Sequence, residues 1–360
     1  MKSVYIHIPF CKTICTYCDF PKLYKEEAMI DNYLNALKNE VKEYYNEEEI
    51  YTIYIGGGTP SCLNSNQLLK LKEIIDLFKF NNLEEFTFEC NIEDISPDLI
   101  DYLKTLKVTR LSIGIQSFNK DKLSLLGRNA DFKDALEKIN LLKENNFNNI
   151  NLDLIYGLPN ERLSDLRMDL KKFLKLKPTH LSTYSLIIEE NTILGNNRAN
   201  LAENTLEYKM YQMIIKKLKK NHFNHYEISN FSLEGKSSKH NLIYWKNEEY
   251  YGFGLGAHGY IEGFRYENTR SITEYNKGNY RMDEKLLSKQ EKMENELMLG
   301  LRLIKGINIK EFHSKFKTNI QDVFPVKPLI KNKDLIYKGN NIYLNPDKLY
   351  IMNEILLKLI

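Results

Sequence analysis

Three cysteines, Cys11, Cys15 and Cys18, lie within eight residues in the segment YIHIPFCKTICTYCDF. Clustered thiolates are soft ligands that bind zinc or iron–sulfur clusters. Structural zinc usually takes four ligands from two separated Cys-x-x-Cys pairs, and the sequence holds no second pair. An iron–sulfur cubane needs one ligand per iron, so three thiolates would leave one iron open for a substrate or cosubstrate. The spacing favours such a cluster, with zinc ligands or buried apolar thiols as the alternatives.

A glycine run in the segment YIGGGTPSCL is the second candidate for chemistry. Gly56, Gly57 and Gly58 follow a β-rich stretch, and the simplest interpretation is that they form a tight turn with no further role. Because glycine has no side chain, however, such a loop also lets the backbone approach a bound ligand closely. After the second strand of a barrel that carries the cysteines, the loop is a candidate ligand-binding segment.

The elements that would position these residues alternate in type along the first 190 residues. Amphipathic helical patterns separate six β-rich stretches, and strand–helix units in series predict a parallel sheet with right-handed crossovers. Six units predict an α/β fold with a partial (βα)6 barrel rather than a closed eightfold one. The predicted strands are residues 3–9, 50–57, 84–90, 109–116, 149–157 and 180–188.

The pattern changes character toward the C-terminus. The segment KQEKMENELMLGLRL predicts a helix, and the last residues predict a hairpin with Gly339–Asn340 in its turn, followed by a closing helix. We therefore predict three domains. They are a partial barrel core at 1–190, a barrel extension at 191–284 and a small C-terminal helix-plus-hairpin, winged-helix-like domain at 285–360.

Composition limits the class of protein. The 360 residues are 42% hydrophobic and 28% charged, with a net charge of +3 and five cysteines. So small a charge does not indicate a nucleic-acid partner, and an odd, clustered set of cysteines is typical of metal binding in a reducing compartment. No apolar run is long enough to span a membrane, and no signal peptide is recognised. We expect a cytoplasmic protein.

The segment CKTICTYC, with Tyr17 before the last cysteine, resembles the cysteine motif of the radical S-adenosylmethionine (SAM) enzymes. The resemblance implies that Cys11, Cys15 and Cys18 hold a 4Fe-4S cluster whose open iron binds the amino and carboxylate groups of SAM. In that family the reduced cluster cleaves SAM to a 5′-deoxyadenosyl radical, on a partial (βα)6 barrel. The glycine loop would contact the amino group of SAM.

Within that superfamily, the segments YIHIPFC, GGGTP, SIGIQSF, LGR, DLIYGLP and HNLIYW resemble the oxygen-independent coproporphyrinogen III oxidase family, nearly end to end. The resemblance implies that Tyr5, Gly57 and Glu89 line the SAM at the cluster. It also implies contacts with SAM molecules, chiefly a second one, from Gly58, Thr59, Gln116, Arg128 and Asp153.

The residue types suit these roles. The carboxylates of Glu89 and Asp153 can accept hydrogen bonds from ribose hydroxyls or an amino group, and Arg128 can pair with a SAM carboxylate. The family often has proline at the position of Ile92, so the segment after Glu89 departs from the pattern. Two further cysteines, Cys62 and Cys90, are expected to be buried thiols rather than ligands. GLGAHG at 254–259 matches Gly-x-Gly-x-x-Gly but opens no βαβ unit, so we interpret it as a turn at the barrel mouth.

Two departures separate the chain from the oxidase. Phe20 stands where the oxidase has a fourth cysteine, and only ten residues precede Cys11. In both features the chain resembles the branch of the family that consists of haem chaperones. In that branch the motif present here as HNLIYW is the haem site, which implies His240 as an axial ligand of haem iron.

Three functional hypotheses follow. The first is a haem chaperone that binds haem, a 4Fe-4S cluster and SAM and delivers haem to acceptor haemoproteins, which could be membrane-associated. It would use an electron donor such as flavodoxin or ferredoxin. The alternatives are oxygen-independent decarboxylation of coproporphyrinogen III and radical SAM chemistry on another substrate.

Two expectations concern His240. Because it lies far along the chain from the cysteines, we expect its substitution to leave cluster and SAM binding intact. Because a neutral imidazole is needed to coordinate iron, we expect haem binding to fall below about pH 6.5.

Overall fold

A computed structural model describes residues 2–196 and 204–359. The strands are β1 (Lys2–Ile8), β2 (Phe10–Cys11), β3 (Leu23–Tyr24), β4 (Ile50–Gly57), β5 (Glu85–Asn91), β6 (Arg110–Gln116), β7 (Ile150–Tyr156), β8 (His180–Ser185), β9 (Asn224–Glu227), β10 (Asn230–Ser232), β11 (Tyr250–Phe253), β12 (His258–Ile261), β13 (Phe264–Asn268), β14 (Arg281–Leu286), β15 (Ile307–Asn308), β16 (Leu335–Lys338) and β17 (Asn341–Leu344).

The α-helices are α1 (Glu27–Tyr44), α2 (Ser65–Ile75), α3 (Pro97–Thr105), α4 (Lys120–Leu125), α5 (Phe132–Glu144), α6 (Leu163–Leu176), α7 (Ile193–Asn196), α8 (Asn204–Lys219), α9 (Lys239–Trp245), α10 (Ile272–Asn276), α11 (Lys289–Gly300), α12 (Ile309–Phe316), α13 (Ile320–Val323), α14 (Val326–Lys331) and α15 (Met352–Leu356). Short 3₁₀ turns occupy Pro60–Cys62, Ile92–Asp94 and Pro346–Ile351. No helix among the described residues is long and apolar enough to cross a bilayer.

One mixed sheet organises the first 286 residues. In the described part of the chain its strand order is β14-β13-β12-β11-β1-β4-β5-β6-β7-β8-β10-β9. The strands from β11 to β8 in that order are parallel, and the strands beyond each end are antiparallel. The six predicted strands correspond to β1, β4, β5, β6, β7 and β8, so the prediction of a partial (βα)6 barrel is confirmed.

The sequence did not predict the seventh parallel strand, β11. It pairs with β1 from Ser3↔Tyr250 to Ile6↔Phe253 and is only four residues long. So short a strand leaves too few residues for a period to be recognised. Its pairing places the segment that follows it, residues 254–257, at the same end of the sheet as the loop after β1.

Side chains of the parallel strands alternate between an apolar outer face and a polar inner face. In β4, Ile53 and Ile55 are fully buried beneath the helices, whereas Thr52 and Tyr54 contact side chains of neighbouring strands inside the barrel. The barrel therefore encloses polar groups rather than an apolar core. Its inward polar side chains include Ser3, Tyr5, His7, Thr52, Tyr54, Thr87, Glu89, Ser112, Asn151, Asp153, His180 and Ser182.

The C-terminal part has the predicted helix and hairpin. Helix α11 begins at a capping box formed by Ser288 and Glu291. Strands β16 and β17 form a hairpin whose turn contains Gly339 at φ 63°, and β15 completes a three-stranded sheet beside α12–α14. The domain boundaries at residues 190 and 284 stay a prediction.

Candidate functional site

The three clustered cysteines lie in and beside one loop that follows β1. Cys11 ends β2 and is 7% exposed, while Cys15 and Cys18 are partly buried, and all three are free thiols. Backbone hydrogen bonds fix the middle of the loop, from Thr16 N to Leu126 O at 3.2 Å, and join its two ends, from Lys25 N to Cys11 O at 2.9 Å. The loop is therefore held in place by the protein itself.

Burial raises the pKa of the Cys11 and Cys18 thiols above the usual value. The Thr59 hydroxyl donates to Cys11 Sγ at 3.6 Å and partly opposes this effect. A metal centre binds thiolates, so its assembly here would release protons. In the described ranges, no three His, Cys, Asp or Glu side chains converge on a position for one metal ion.

The glycine loop after β4 crosses the end of β1. Gly57 has φ 112°, and a Cβ atom there would lie 2.5 Å from the His7 ring. A Cβ on Gly58 would lie 2.7 Å from the Pro9 carbonyl carbon. The Gly58 and Thr59 backbone N–H groups donate to the carbonyls of Ile8 and Phe10 at 2.8 and 2.9 Å. Glycine is required here because two backbone segments approach closely.

Glu89 is the carboxylate nearest this loop. Its Oε2 accepts a hydrogen bond from Gly57 N at 3.1 Å, and its Oε1 accepts one from the Tyr54 hydroxyl at 2.5 Å. Burial raises the pKa of Glu89 to about 7, although both hydrogen bonds favour the ionised form. The carboxylate is thus oriented by hydrogen bonds, and a cationic ligand would stabilise its ionised form.

Three further predicted residues lie in β6, in β7 or in the segment that connects them. Arg128 Nη1 donates to Asn91 Oδ1 at 2.6 Å, and its buried Nε has no hydrogen-bond partner among the described residues. Gln116 ends β6 at φ 68°. Asp153 Oδ1 accepts from Asn151 Nδ2 at 2.7 Å, and burial raises the pKa of Asp153.

Tyr5 lies deeper, on the inner face of β1. Burial lowers the pKa of the neighbouring His7 to about 4, so that imidazole is neutral. Its Nε2 donates to Pro21 O at 2.8 Å, and its Nδ1 therefore accepts from the Tyr5 hydroxyl at 2.9 Å. His7 thus connects the inner face of β1 to the cysteine loop.

Ten of the twelve predicted site residues line a single cavity of about 150 Å³ at the carboxyl ends of the parallel strands. They are Cys11, Cys15, Cys18, Gly57, Gly58, Thr59, Glu89, Gln116, Arg128 and Asp153. A thiolate-bound cluster needs free thiols, and an amino-acid ligand needs an acceptor for its amino group and a donor for its carboxylate. The cavity supplies these groups as three cysteines, an oriented carboxylate and an arginine with an unpartnered Nε. The residues present therefore fit a cluster with SAM, and their individual roles stay predictions.

A second, larger cavity of about 630 Å³ adjoins the first. Phe20 and Glu89 line both cavities, and the side chain of Phe20 is 66% exposed. The larger cavity also contains Tyr5, the predicted residue that does not line the smaller one. Its wall is aromatic and includes Tyr5, Phe20, Tyr54, Tyr184, Tyr244 and Tyr250.

His240 lines neither cavity. It is fully buried on α9, where Nδ1 lies 2.7 Å from Thr52 Oγ1 and Nε2 lies 2.7 Å from the Tyr244 hydroxyl. Its ring packs 5.2 Å from that of Tyr54, whose hydroxyl donates to Glu89. Although His240 lies far along the chain from the cysteines, α9 brings it within one tyrosine of Glu89, and the expectation that its substitution leaves cluster and SAM binding intact stays a prediction.

The expected pH dependence at His240 also needs correction. Burial lowers the pKa of His240 to about 3, so the imidazole is neutral throughout the physiological range. A loss of haem binding below pH 6.5 therefore does not follow from this residue. Ligation of haem iron by His240 stays a prediction, and it would require Tyr244 or Thr52 to give up a hydrogen bond.

Sequence reasoning missed several residues of the two cavities. Asn91 and Ser112 line the smaller cavity, and Tyr54 and Tyr184 line the larger one. All four occupy strands in which most alternate residues are polar or aromatic. In a buried parallel sheet, which is usually apolar on both faces, that period of two is the signal that could have identified the barrel interior.

Comparisons with known proteins agree on the family. Residues 5–173 match the radical SAM superfamily, and residues 287–347 match the HemN C-terminal domain. The chain is similar to the heme chaperone HemW of Lactococcus lactis, with 40% identity over 98% of this chain and 96% of that protein. It is 39% identical to the heme chaperone HemW of Bacillus subtilis, over 99% and 98% of the two chains.

The fold has a solved counterpart. Coproporphyrinogen III oxidase (HemN) from Escherichia coli, a radical SAM enzyme, covers 99% of this chain and matches over 89% of its own, with a TM-score of 0.87. The two sequences are 22% identical, so this likeness establishes the fold.

Proposed function

The chain belongs to the HemW family within the radical SAM superfamily, and from this premise we propose that it is a haem chaperone. It binds haem, a 4Fe-4S cluster and SAM, and it transfers haem to acceptor haemoproteins. Its electron donor is a protein such as flavodoxin or ferredoxin. The observation that carries the proposal is the adjacency of the cysteine-lined cavity and a larger aromatic one.

The smaller cavity accounts for the cluster and SAM. Cys11, Cys15 and Cys18 would hold the cluster, which would bind SAM and supply an electron when reduced. Glu89 would accept hydrogen bonds from the N–H groups of the SAM amino group, and Arg128 would pair with a carboxylate. The cavity of about 150 Å³ is below the roughly 300 Å³ lower limit of typical small-molecule sites. SAM therefore extends past Glu89 into the adjoining cavity.

The larger cavity accounts for haem. Its volume of about 630 Å³ is well within the range of roughly 300–1,000 Å³ that is typical of small-molecule sites. Porphyrin faces pack on aromatic side chains, which this wall supplies in number. Asn241 and Tyr244 of the HNLIYW motif belong to the wall, and His240 contributes by hydrogen bonding to the Tyr244 hydroxyl.

Oxidative decarboxylation of coproporphyrinogen III is the function to be excluded. Phe20, an exposed aromatic residue between the two cavities, occupies the position of the fourth cysteine of the oxidase family. An aromatic ring there offers packing surface and no thiol. The proposal therefore predicts haem binding without turnover of coproporphyrinogen.

The test uses anaerobically reconstituted protein. Titration with haem, followed by absorbance, should give saturable binding of one haem per chain. A parallel assay with coproporphyrinogen III, SAM and reductant should give no decarboxylated product. Turnover in the second assay, or no saturable haem binding in the first, would refute the proposal.

A further inference from the structure

The glycine-rich segment at residues 254–259 has no role in the site described so far. Its Gly254 N–H donates to the buried Glu40 carboxylate at 2.9 Å, and its Gly256 backbone packs against Pro21 of the cysteine loop, where a Cβ would lie 2.5 Å from Pro21 Cγ. Held at both points, the segment forms part of the wall of the larger cavity. The residue it presents there with a metal-binding side chain is His258.

The histidines around the larger cavity differ in whether their ring nitrogens are available. Both nitrogens of His7 are engaged, by Tyr5 and Pro21, and both nitrogens of His240 are engaged, by Thr52 and Tyr244. His258 has a side chain that is 56% exposed, and within the described ranges its nearest charged neighbour is at 3.7 Å. An imidazole that lines the cavity without hydrogen bonds can ligate a metal without disrupting the fold.

The neighbours of His258 match what an iron-bound imidazole needs. Glu267 Oε1 lies 3.7 Å from His258 Nε2, across the β12–β13 pair. Metal-ligating histidines usually donate their other ring N–H to such a carboxylate, which orients the imidazole and raises its basicity. A rotation of the imidazole about its χ2 angle exchanges the two ring nitrogens and lets either one face the iron.

The same carboxylate connects to a cation on the cavity wall. Arg270 Nε donates to Glu267 Oε1 at 3.1 Å, and its side chain is 57% exposed. The two terminal nitrogens of its guanidinium group form no hydrogen bond among the described residues. A guanidinium fork suits a carboxylate, and each haem carries two propionate carboxylates.

We propose that His258 is the protein ligand of haem iron in the larger cavity, that Glu267 orients it, and that Arg270 pairs with a haem propionate. This inference rests on the proposed function and deepens it. It places the iron at the mouth of the cavity, where an acceptor protein can reach it. In this arrangement the HNLIYW motif supplies part of the aromatic wall and does not supply the iron ligand.

The test compares histidine variants of the full, anaerobically reconstituted chain in haem titrations. His258→Ala should weaken haem binding by more than about tenfold and change the ligand-sensitive absorbance of ferric haem, and added imidazole should restore that spectrum. His240→Ala should keep the spectrum of the parent protein. His313→Ala is the matched control, since His313 is exposed on α12 and does not line the cavity.

Because His258 is exposed, its removal should leave iron content and folding unchanged, and both are measured in each variant. A His258→Ala protein with the parent's haem affinity and spectrum would overturn the inference while leaving the haem chaperone proposal intact. Loss of the ligated spectrum in His240→Ala alone would also overturn it. A parent protein that binds no haem would overturn both.

The contact between Arg270 and a haem propionate is tested by changing the ligand. Arg270→Ala should lower the affinity for haem by about tenfold and should not affect the affinity for haem dimethyl ester, whose propionates carry no charge. Arg162→Ala, which removes a guanidinium that is 83% exposed elsewhere, should change neither affinity. Equal losses with haem and with its ester would exclude the propionate contact.

Discussion

At the scale of single residues, the site depends on groups whose charge is set by burial. The Cys11 and Cys18 thiols and the Glu89 carboxyl all have raised pKa values because the cavity removes them from water. A positively charged partner would stabilise the ionised form of each group. A cluster and the sulfonium cation of SAM would supply that charge, so the binding of both should be coupled to proton release.

Replacement of the cysteines tests the cluster assignment. Reconstituted parent protein should hold about four iron and four sulfide per chain. Cys11→Ala, Cys15→Ala and Cys18→Ala should each lose most of that iron, because each removes one of the three thiolates that would hold the cluster. Cys62→Ala and Cys90→Ala, which alter the other two thiols near the site, should keep it. Iron loss confined to these control variants would contradict the assignment.

The Glu89 carboxyl should make SAM binding depend on pH. Burial raises the pKa of Glu89 to about 7, so it is protonated below that pH and must release a proton before its carboxylate can accept hydrogen bonds from the SAM amino group. SAM affinity should therefore rise by up to about tenfold per pH unit as pH approaches 7 from below, and then level off. Calorimetric titrations between pH 5.5 and 8.5 measure this.

Glu89→Gln is the control for that titration. Glutamine keeps the size and the acceptor oxygen of the side chain, and it cannot titrate. Its SAM affinity should be lower than that of the parent at pH 8 and independent of pH across the range. A parent protein whose SAM affinity does not change between pH 5.5 and 8.5 would show that Glu89 does not contact the SAM amino group.

At the scale of elements, helix α9 is fixed under the barrel by one buried carboxylate. Glu85, at the start of β5, accepts hydrogen bonds from the Ser238 hydroxyl and from the backbone N–H groups of Lys239 and His240, at 3.1, 2.9 and 3.0 Å. These donors form the N-terminus of α9, where a negative charge is favourable. Glu85 therefore positions the whole HNLIYW motif.

Glu85→Ala should lower the free energy of unfolding by about 3 kcal/mol, since it leaves buried donors without an acceptor. Its neighbour Glu84 provides a matched control, because it forms only an exposed pair with Lys239 and its loss should cost less than about 1 kcal/mol. Urea denaturation measures both. Equal effects for the two variants would show that Glu85 does not hold α9.

The glycine loop offers a second test at this scale. Gly57→Ala should cost more than the roughly 1 kcal/mol of backbone strain at positive φ, because the new Cβ meets the His7 ring. Displacing His7 also breaks its hydrogen bond to Pro21 in the cysteine loop, so iron retention should fall. Gly278 has φ 93°, and a Cβ there would have no atom within 4 Å. Gly278→Ala should therefore lower the free energy of unfolding only by the backbone strain and should retain its iron.

At the scale of the whole molecule, the sequence was most informative where elements are long or motifs dense. The six main strands, helix α11 and the hairpin at Gly339–Asn340 could be predicted, as could the set of residues that meets at the smaller cavity. The larger cavity could not be predicted, since its wall comes from many segments, among them β1, β4, α9 and residues 256–258. Only tertiary pairing, such as that of β11 with β1, brings these segments together.

The side-chain environment of His240 also lay beyond the sequence. A histidine beside aromatic residues is compatible with an open ligand or with a buried hydrogen-bonded side chain. The contacts of His240 with Thr52 and Tyr244 depend on how α9 packs beneath β4. Two cavities that share Phe20 and Glu89 are therefore a property of the assembled fold, and they are the basis for placing haem beside the cluster.

Haem delivery tests the central claim most directly. Reconstituted protein loaded with one haem is mixed with an apo-haemoprotein, separated from it by affinity tag, and the haem in each fraction is measured over time. The account predicts that haem moves to the acceptor faster than free haem is released to a scavenger of equal affinity. Retention of haem by the chain, or transfer no faster than that release, would contradict it.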